Sequence, residues 1–77
     1  MERKIKLIWD FHGPDAKQMA EHHAIHLSEF AIREKLVFNE TGIAEQSEKF
    51  CIAYLMVAES EMIKVRDALR PHRGQAV

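Results

Sequence analysis

The run from Lys49 to Ala58 is apolar on both of its alternating faces: Phe50, Ile52, Tyr54 and Met56 fall on one side, Cys51, Ala53, Leu55 and Val57 on the other. A half-buried strand alternates apolar and polar. A strand apolar on both sides belongs in the middle of a sheet with cover above and below. This constrains a 77-residue chain severely, because it has only two helical segments with which to supply that cover.

The first strand is predicted over Lys4 to Phe11. Ile5, Leu7, Trp9 and Phe11 share one face, and Lys4, Lys6, Ile8 and Asp10 share the other. His12-Gly13-Pro14-Asp15 ends it, with Pro14 at the first helical position and Asp15 complementing the helix N-terminus. A long helix is predicted from about Pro14 to Leu36, since no Gly or Pro interrupts it. Ala16, Met19, Ala20, His23, Leu27, Phe30 and Ala31 gather on the face that lies on the sheet. Ile25, Ile32 and Leu36 lie on the far side at helical spacing, a row that hints at a partner.

Asn39 to Gly42 reads as a turn or strand entry, Ile43 to Gln46 as a weak edge strand, and Ser47-Glu48 as a tight turn. Ser60 is placed as the cap of a short helix, Glu61 to Leu69, stopped by Arg70-Pro71, with Met62, Val65 and Leu69 as its buried stripe. Residues 72–77 pair as a short last strand or hang free. The expected architecture is a single α+β domain over residues 1–77. Its order is the ferredoxin-like β-α-β-β-α(-β) pattern: a three- to four-stranded antiparallel sheet with two helices on one face. The second face of the sheet is then bare. A second copy packing there would cover it and would support so short a chain, so a homodimer is expected.

Eleven basic and twelve acidic residues almost cancel, which disfavours a nucleic-acid surface. No apolar run approaches a membrane span, and the N-terminus leads into a strand rather than a signal core. Cys51 is the only cysteine, so disulfides give no support, and a reducing cytoplasm is the expected compartment. In a buried strand its thiol should be inert.

Chemistry concentrates in Glu21-His22-His23-Ala24-Ile25-His26, with three imidazoles in five residues. His22, His26 and Glu29 form a ladder at i, i+4 and i+7, the spacing of a helical metal site for zinc or another divalent ion. The glutamate of a His-Glu-x-x-His motif is missing. His23 points into the buried face. There it is expected to be neutral, with one ring nitrogen hydrogen-bonded, Tyr54 being one possible partner, or to line a small-molecule pocket between helix and sheet. Asp10 and His12 form a second constellation at the end of the first strand, too far along the helix to join His22 and His26 within one subunit. Arg66, Arg70 and Arg73, with His72, follow the last helix, either as offsets to its dipole or as an anion site.

Lys6-Leu7-Ile8-Trp9-Asp10-Phe11-His12-Gly13-Pro14, the Glu21-to-Leu27 helix and Arg70-Pro71-His72-Arg73-Gly74 together resemble short uncharacterised bacterial proteins with a ferredoxin-like α+β fold. The resemblance covers most of the chain. It implies that fold and a bacterial origin, and brings no chemistry with it. The leading expectation is a cytoplasmic homodimer with a binding or structural role rather than a catalytic one, and with no resident cofactor. Two alternatives stand beside it: a metal-dependent or histidine-assisted enzyme on the His22/His26 face, and an anion-binding regulatory domain at Arg66, Arg70 and Arg73.

Overall fold

The computed structural model describes residues 3–77. Its elements, in chain order, are β1 (Lys4–His12), α1 (Ala16–Arg33), β2 (Asn39–Ser47), β3 (Phe50–Ala58), α2 (Glu59–Leu69) and β4 (Arg73–Ala76). The four strands form one antiparallel sheet in the order β2-β3-β1-β4. The doubly apolar β3 and the alternating β1 are the two central strands, and they pair along nine residues from Lys4 opposite Ala58 to His12 opposite Phe50. Among the described residues, no helix is long and apolar enough to cross a membrane.

Both helices lie on the same side of the sheet. Ile5, Leu7 and Trp9 of β1 and Cys51, Ala53, Leu55 and Val57 of β3 enter one buried cluster with Ala16, Ala20, Leu27, Phe30 and Ala31 of α1 and Val65 of α2. Small residues on α1 let its backbone approach the sheet closely, and Leu27, Leu55, Val57 and Val65 fill the space with no measurable exposure. The opposite face of β3, with Ile52, Tyr54 and Met56, carries no helix. Cys51, Leu55 and Val57 are thus covered by the helices, and the residues left without a second layer are their strand neighbours.

Several boundaries differ from the sequence expectation, each for a local reason. The long helix stops at Arg33, three residues before Leu36, because Lys35 takes a left-handed conformation with φ of 53°. The Lys35 and Leu36 amides donate to Ile32 and Ala31 carbonyls at 3.2 Å each, the two bonds of a Schellman close. This turn folds Leu36 back beneath the helix, where it is 8% exposed, so it is not part of the outer row with Ile25 and Ile32, which are 60% and 71% exposed. At the other end the helix begins at Ala16. Pro14 and Asp15 precede it, and the Asp15 side chain makes no cap hydrogen bond.

Helix α2 begins at Glu59, with extended Ala58 in the cap position. Ser60 lies inside the first turn, where Glu59 and Glu61 complement the dipole instead. The weak edge strand is nine residues long, with an irregularity between Glu45 and Ser47, and the hairpin turn falls on Glu48-Lys49. Residues 73–76 do pair as a final strand, flanked by bonds from the His72 and Val77 amides to Ile8 and Lys4 carbonyls. Gly13 closes β1 with φ of 111°, a conformation that a side chain resists, and donates to the Lys49 carbonyl at 2.8 Å.

Candidate functional site

Strand alternation divides the candidate residues between the two sides of the sheet. On the helix side, α1 and α2 leave a seam between them: among the described residues, no Cα of one lies within 8 Å of a Cα of the other. Trp9 fills that seam from β1. Its indole Nε1 donates to the Leu69 carbonyl at the end of α2 at 3.1 Å, and its ring meets His23 of α1 at 5.1 Å between centroids. Phe11, on the same face of β1, lies 5.5 Å from the same imidazole. His23 therefore packs against two aromatic rings and is half-buried. Among the described residues, its buried Nε2 has no hydrogen-bond partner. The expected bonded nitrogen is absent there because the walls around it are aromatic. Burial pushes the His23 pKa down, and His26, His72 and His22 add smaller repulsions.

Tyr54 is not beside His23. It points to the opposite face, as even-numbered residues of β3 must, opposite Ile8 in β1 and Gly42 in β2. The groove between long helix and sheet lies along β2, is lined by Glu21, Ala24, Ile25, Ser28, Thr41 and Ile43, and does not include His23.

Asp10 and His12 also lie on the open face, away from His23. The Asp10 carboxylate accepts from the Arg73 guanidinium at 3.0 Å, and the Asp10 amide donates to His72 Nδ1 at 2.8 Å. These contacts fasten β4 to β1 beyond their backbone ladder. They also turn Arg73 toward Asp10, while Arg66 and Arg70 border a depression with Asp67, whose carboxylate lies 3.3 Å from Arg66 Nε. Arg66 and Arg73 also border a second hollow together with Met62, Pro71 and His72. His12 stacks on Phe50 at 4.4 Å with the rings nearly parallel.

The rest of the open face is organised around Tyr54. A Cβ at Gly42 would stand 2.8 Å from Tyr54 Cζ, so only glycine lets the phenol ring lie across β2. The Lys6 ammonium sits 4.4 Å from the centre of that ring, and the Lys4 ammonium 4.7 Å from the centre of Phe38. On this face Ile8 and Ile52 are only 3% and 5% exposed, although neither belongs to the helix-side cluster. Lys6, Phe38 and Gly42 were not singled out by the sequence pattern. The signal that finds them is the cross-strand register, which places Gly42 opposite Tyr54.

On the outer side of α1, His22 and His26 lie with ring centroids 4.7 Å apart, and Glu29 Oε1 is 3.4 Å from His26 Nδ1. Among the described residues, no group of three or more His, Cys, Asp or Glu side chains is disposed to hold a metal ion. Comparison of the chain with protein-family models, curated proteins and solved structures finds no match. The functional reading therefore rests on these surfaces alone.

Proposed function

We propose that this chain is a small homodimeric module with a binding or structural role, and that two copies pack through the open face of the sheet. The strand order β2-β3-β1-β4 supports reading it as a ferredoxin-like split β-α-β domain, a frame that places both helices on one side and leaves the other for a partner. The observation that carries the reading is that this face has no second layer: half-buried Tyr54 and Met56 lie at its centre beside the buried Ile8 and Ile52, with Lys6 and Asp10 placed symmetrically about Ile8 on β1.

That placement is self-complementary. Consider a two-fold axis lying in the interface and crossing the strands at Ile8 and Tyr54. It sets each strand antiparallel over its own copy, as an isologous interface requires. Tyr54 then meets Tyr54, Ile52 meets Met56, and Lys6 of each copy faces Asp10 of the other. Two sheets packed this way stand about 10 Å apart, room for one interdigitated layer of these side chains. Strands of nine residues and four-strand width give a face of roughly 500–600 Å² in projection, somewhat below the roughly 800 Å² per partner of a standard interface. Association in the micromolar range is the expected strength.

Charge exchange tests it. Lys6→Asp places two acids in contact at each end of the pair, and Asp10→Lys places two bases there. By sedimentation equilibrium each variant alone should associate at least tenfold more weakly than the native chain. An equimolar mixture of the two should regain the native affinity, since both cross-contacts become attractive. Weakened single variants that stay monomeric when mixed would refute this packing.

A further inference from the structure

His22 and His26 are neither part of the open face nor of the core, and their geometry is specific. Their rings lie 4.7 Å apart between centroids, inclined at 54°. An ion bound by imidazole nitrogen at about 2.0–2.1 Å lies about 3.1 Å from each ring centre. Two imidazoles on one such ion then have centroids about 4.5 Å apart at an angle of about 90°, and about 5.1 Å apart at the tetrahedral angle. The observed separation lies between these values, so the spacing of the two rings matches that of two imidazoles on one ion.

Glu29 contributes differently from a ligand. Its Oε1 is 3.4 Å from Nδ1 of His26. A carboxylate on that side, on closing to hydrogen-bond distance, favours the tautomer with the proton on Nδ1 and the lone pair on Nε2, which makes Nε2 a better donor. His26 and Glu29 side chains are 61% and 67% exposed, so an ion here keeps water on its remaining positions.

We infer that His22 and His26 form a two-imidazole clip for a borderline divalent transition ion such as Zn²⁺, Ni²⁺ or Cu²⁺, with Glu29 as the positioning residue. Imidazole donors select this class over Mg²⁺ and Ca²⁺, which require oxygen. The site has two protein donors and open positions, so it suits reversible uptake or capture of a further ligand rather than a closed structural ion. It stands on the opposite side of the molecule from the open sheet face and does not depend on self-association.

The test is titration of tag-free protein with Zn²⁺ and Ni²⁺ at pH 7.5, followed by calorimetry and by the imidazole carbon-bound proton resonances. One ion per chain is expected, with His22 and His26 perturbed first. His26→Asn and His22→Asn should each weaken binding at least tenfold, and His12→Asn should leave it unchanged. Glu29→Gln should weaken it about tenfold, within the range for loss of an orienting carboxylate. All of these side chains are exposed, so the variants should retain the fold, which circular dichroism checks. Unchanged affinity in His26→Asn, or first perturbation at His12 or His72, overturns the site. Unchanged affinity in Glu29→Gln overturns the role assigned to that carboxylate.

Discussion

The two faces of the sheet are made from the same strands and shield their aliphatic residues by different means. On the helix side, Cys51, Ala53, Leu55 and Val57 are at most 1% exposed because a second layer of secondary structure lies over them. On the open side, Ile8 and Ile52 are nearly as buried, yet no second layer of secondary structure lies over them and the shielding comes from side chains of the sheet, with Lys6 lying on Tyr54, the residue paired with Ile8. The first kind of cover is cooperative with the fold. The second can be rearranged without breaking a hydrogen-bonded element. A face of the second kind can therefore pass between water and a partner, and a face of the first kind cannot.

Substitutions should separate the two. The largest loss is expected at Leu55, which has no exposed surface and lies in the helix-side cluster. Leu55→Ala should cost about 2–5 kcal/mol, from lost burial and the cavity it leaves, measured by urea denaturation at low protein concentration. Tyr54→Ala, one residue away on the open face, should cost under about 1 kcal/mol in the same dilute assay, as for substitutions outside the packed core. It should instead abolish the concentration dependence of stability that the proposed self-association gives the native chain. Equal losses at the two positions would erase the distinction.

Trp9→Phe comes next. It keeps a ring in the seam between the helices and removes the donor to the Leu69 carbonyl. A loss of about 1–2 kcal/mol is expected, the size of one buried hydrogen bond and its orphaned acceptor.

His23 should behave in the opposite sense. Its Nε2 is buried without a partner, so His23→Leu should stabilise the fold by about 1 kcal/mol. It should also change the pH profile. Because the folded pKa is depressed below the ordinary value, the unfolded chain binds more protons as pH falls through the mid-6 range. The native chain should therefore be most stable above about pH 6.5 and lose stability on acidification below it. His23→Leu should flatten that part of the curve, read from thermal midpoints between pH 7.5 and 5. A slope that persists unchanged would assign it to the other histidines.

The smallest effect concerns the end of α1. Lys35 occupies a left-handed position that glycine takes freely, so Lys35→Gly should raise stability by about 0.5–1 kcal/mol. No change in association should accompany it, because Lys35 belongs to neither face of the sheet.

The strands, the central position of β3 and the two helices were legible because they rest on periodicity, the strongest signal a short chain carries. The buried face of α1 was legible for the same reason, with His23 half-buried on it, except at Met19, which was expected there and is 41% exposed. What the sequence hid were positions set by conformation rather than pattern. The stop after Arg33 depends on Lys35 adopting a positive φ, which nothing in its identity signals. The start of α2 at Glu59 reflects the chain leaving β3 directly into a helix, with no polar cap to mark it. The site residues divide in the same way. The His22, His26 and Glu29 ladder follows from helical spacing and was visible. The separation of Asp10, His12 and Tyr54 from His23 follows from which side of a strand each occupies, and for Tyr54 it needed the register of β3 against β1 and β2.

The most direct test of the account is a mixed sample in which one copy carries labelled methyl groups and the other does not, examined for intermolecular nuclear Overhauser contacts. Packing through the open face predicts contacts from the Ile52 methyls of one copy to the Met56 methyl of the other, and from Ile8 to Ile8. Contacts confined to Ile25 and Ile32 on the outer side of α1, or none at concentrations well above micromolar, would contradict it.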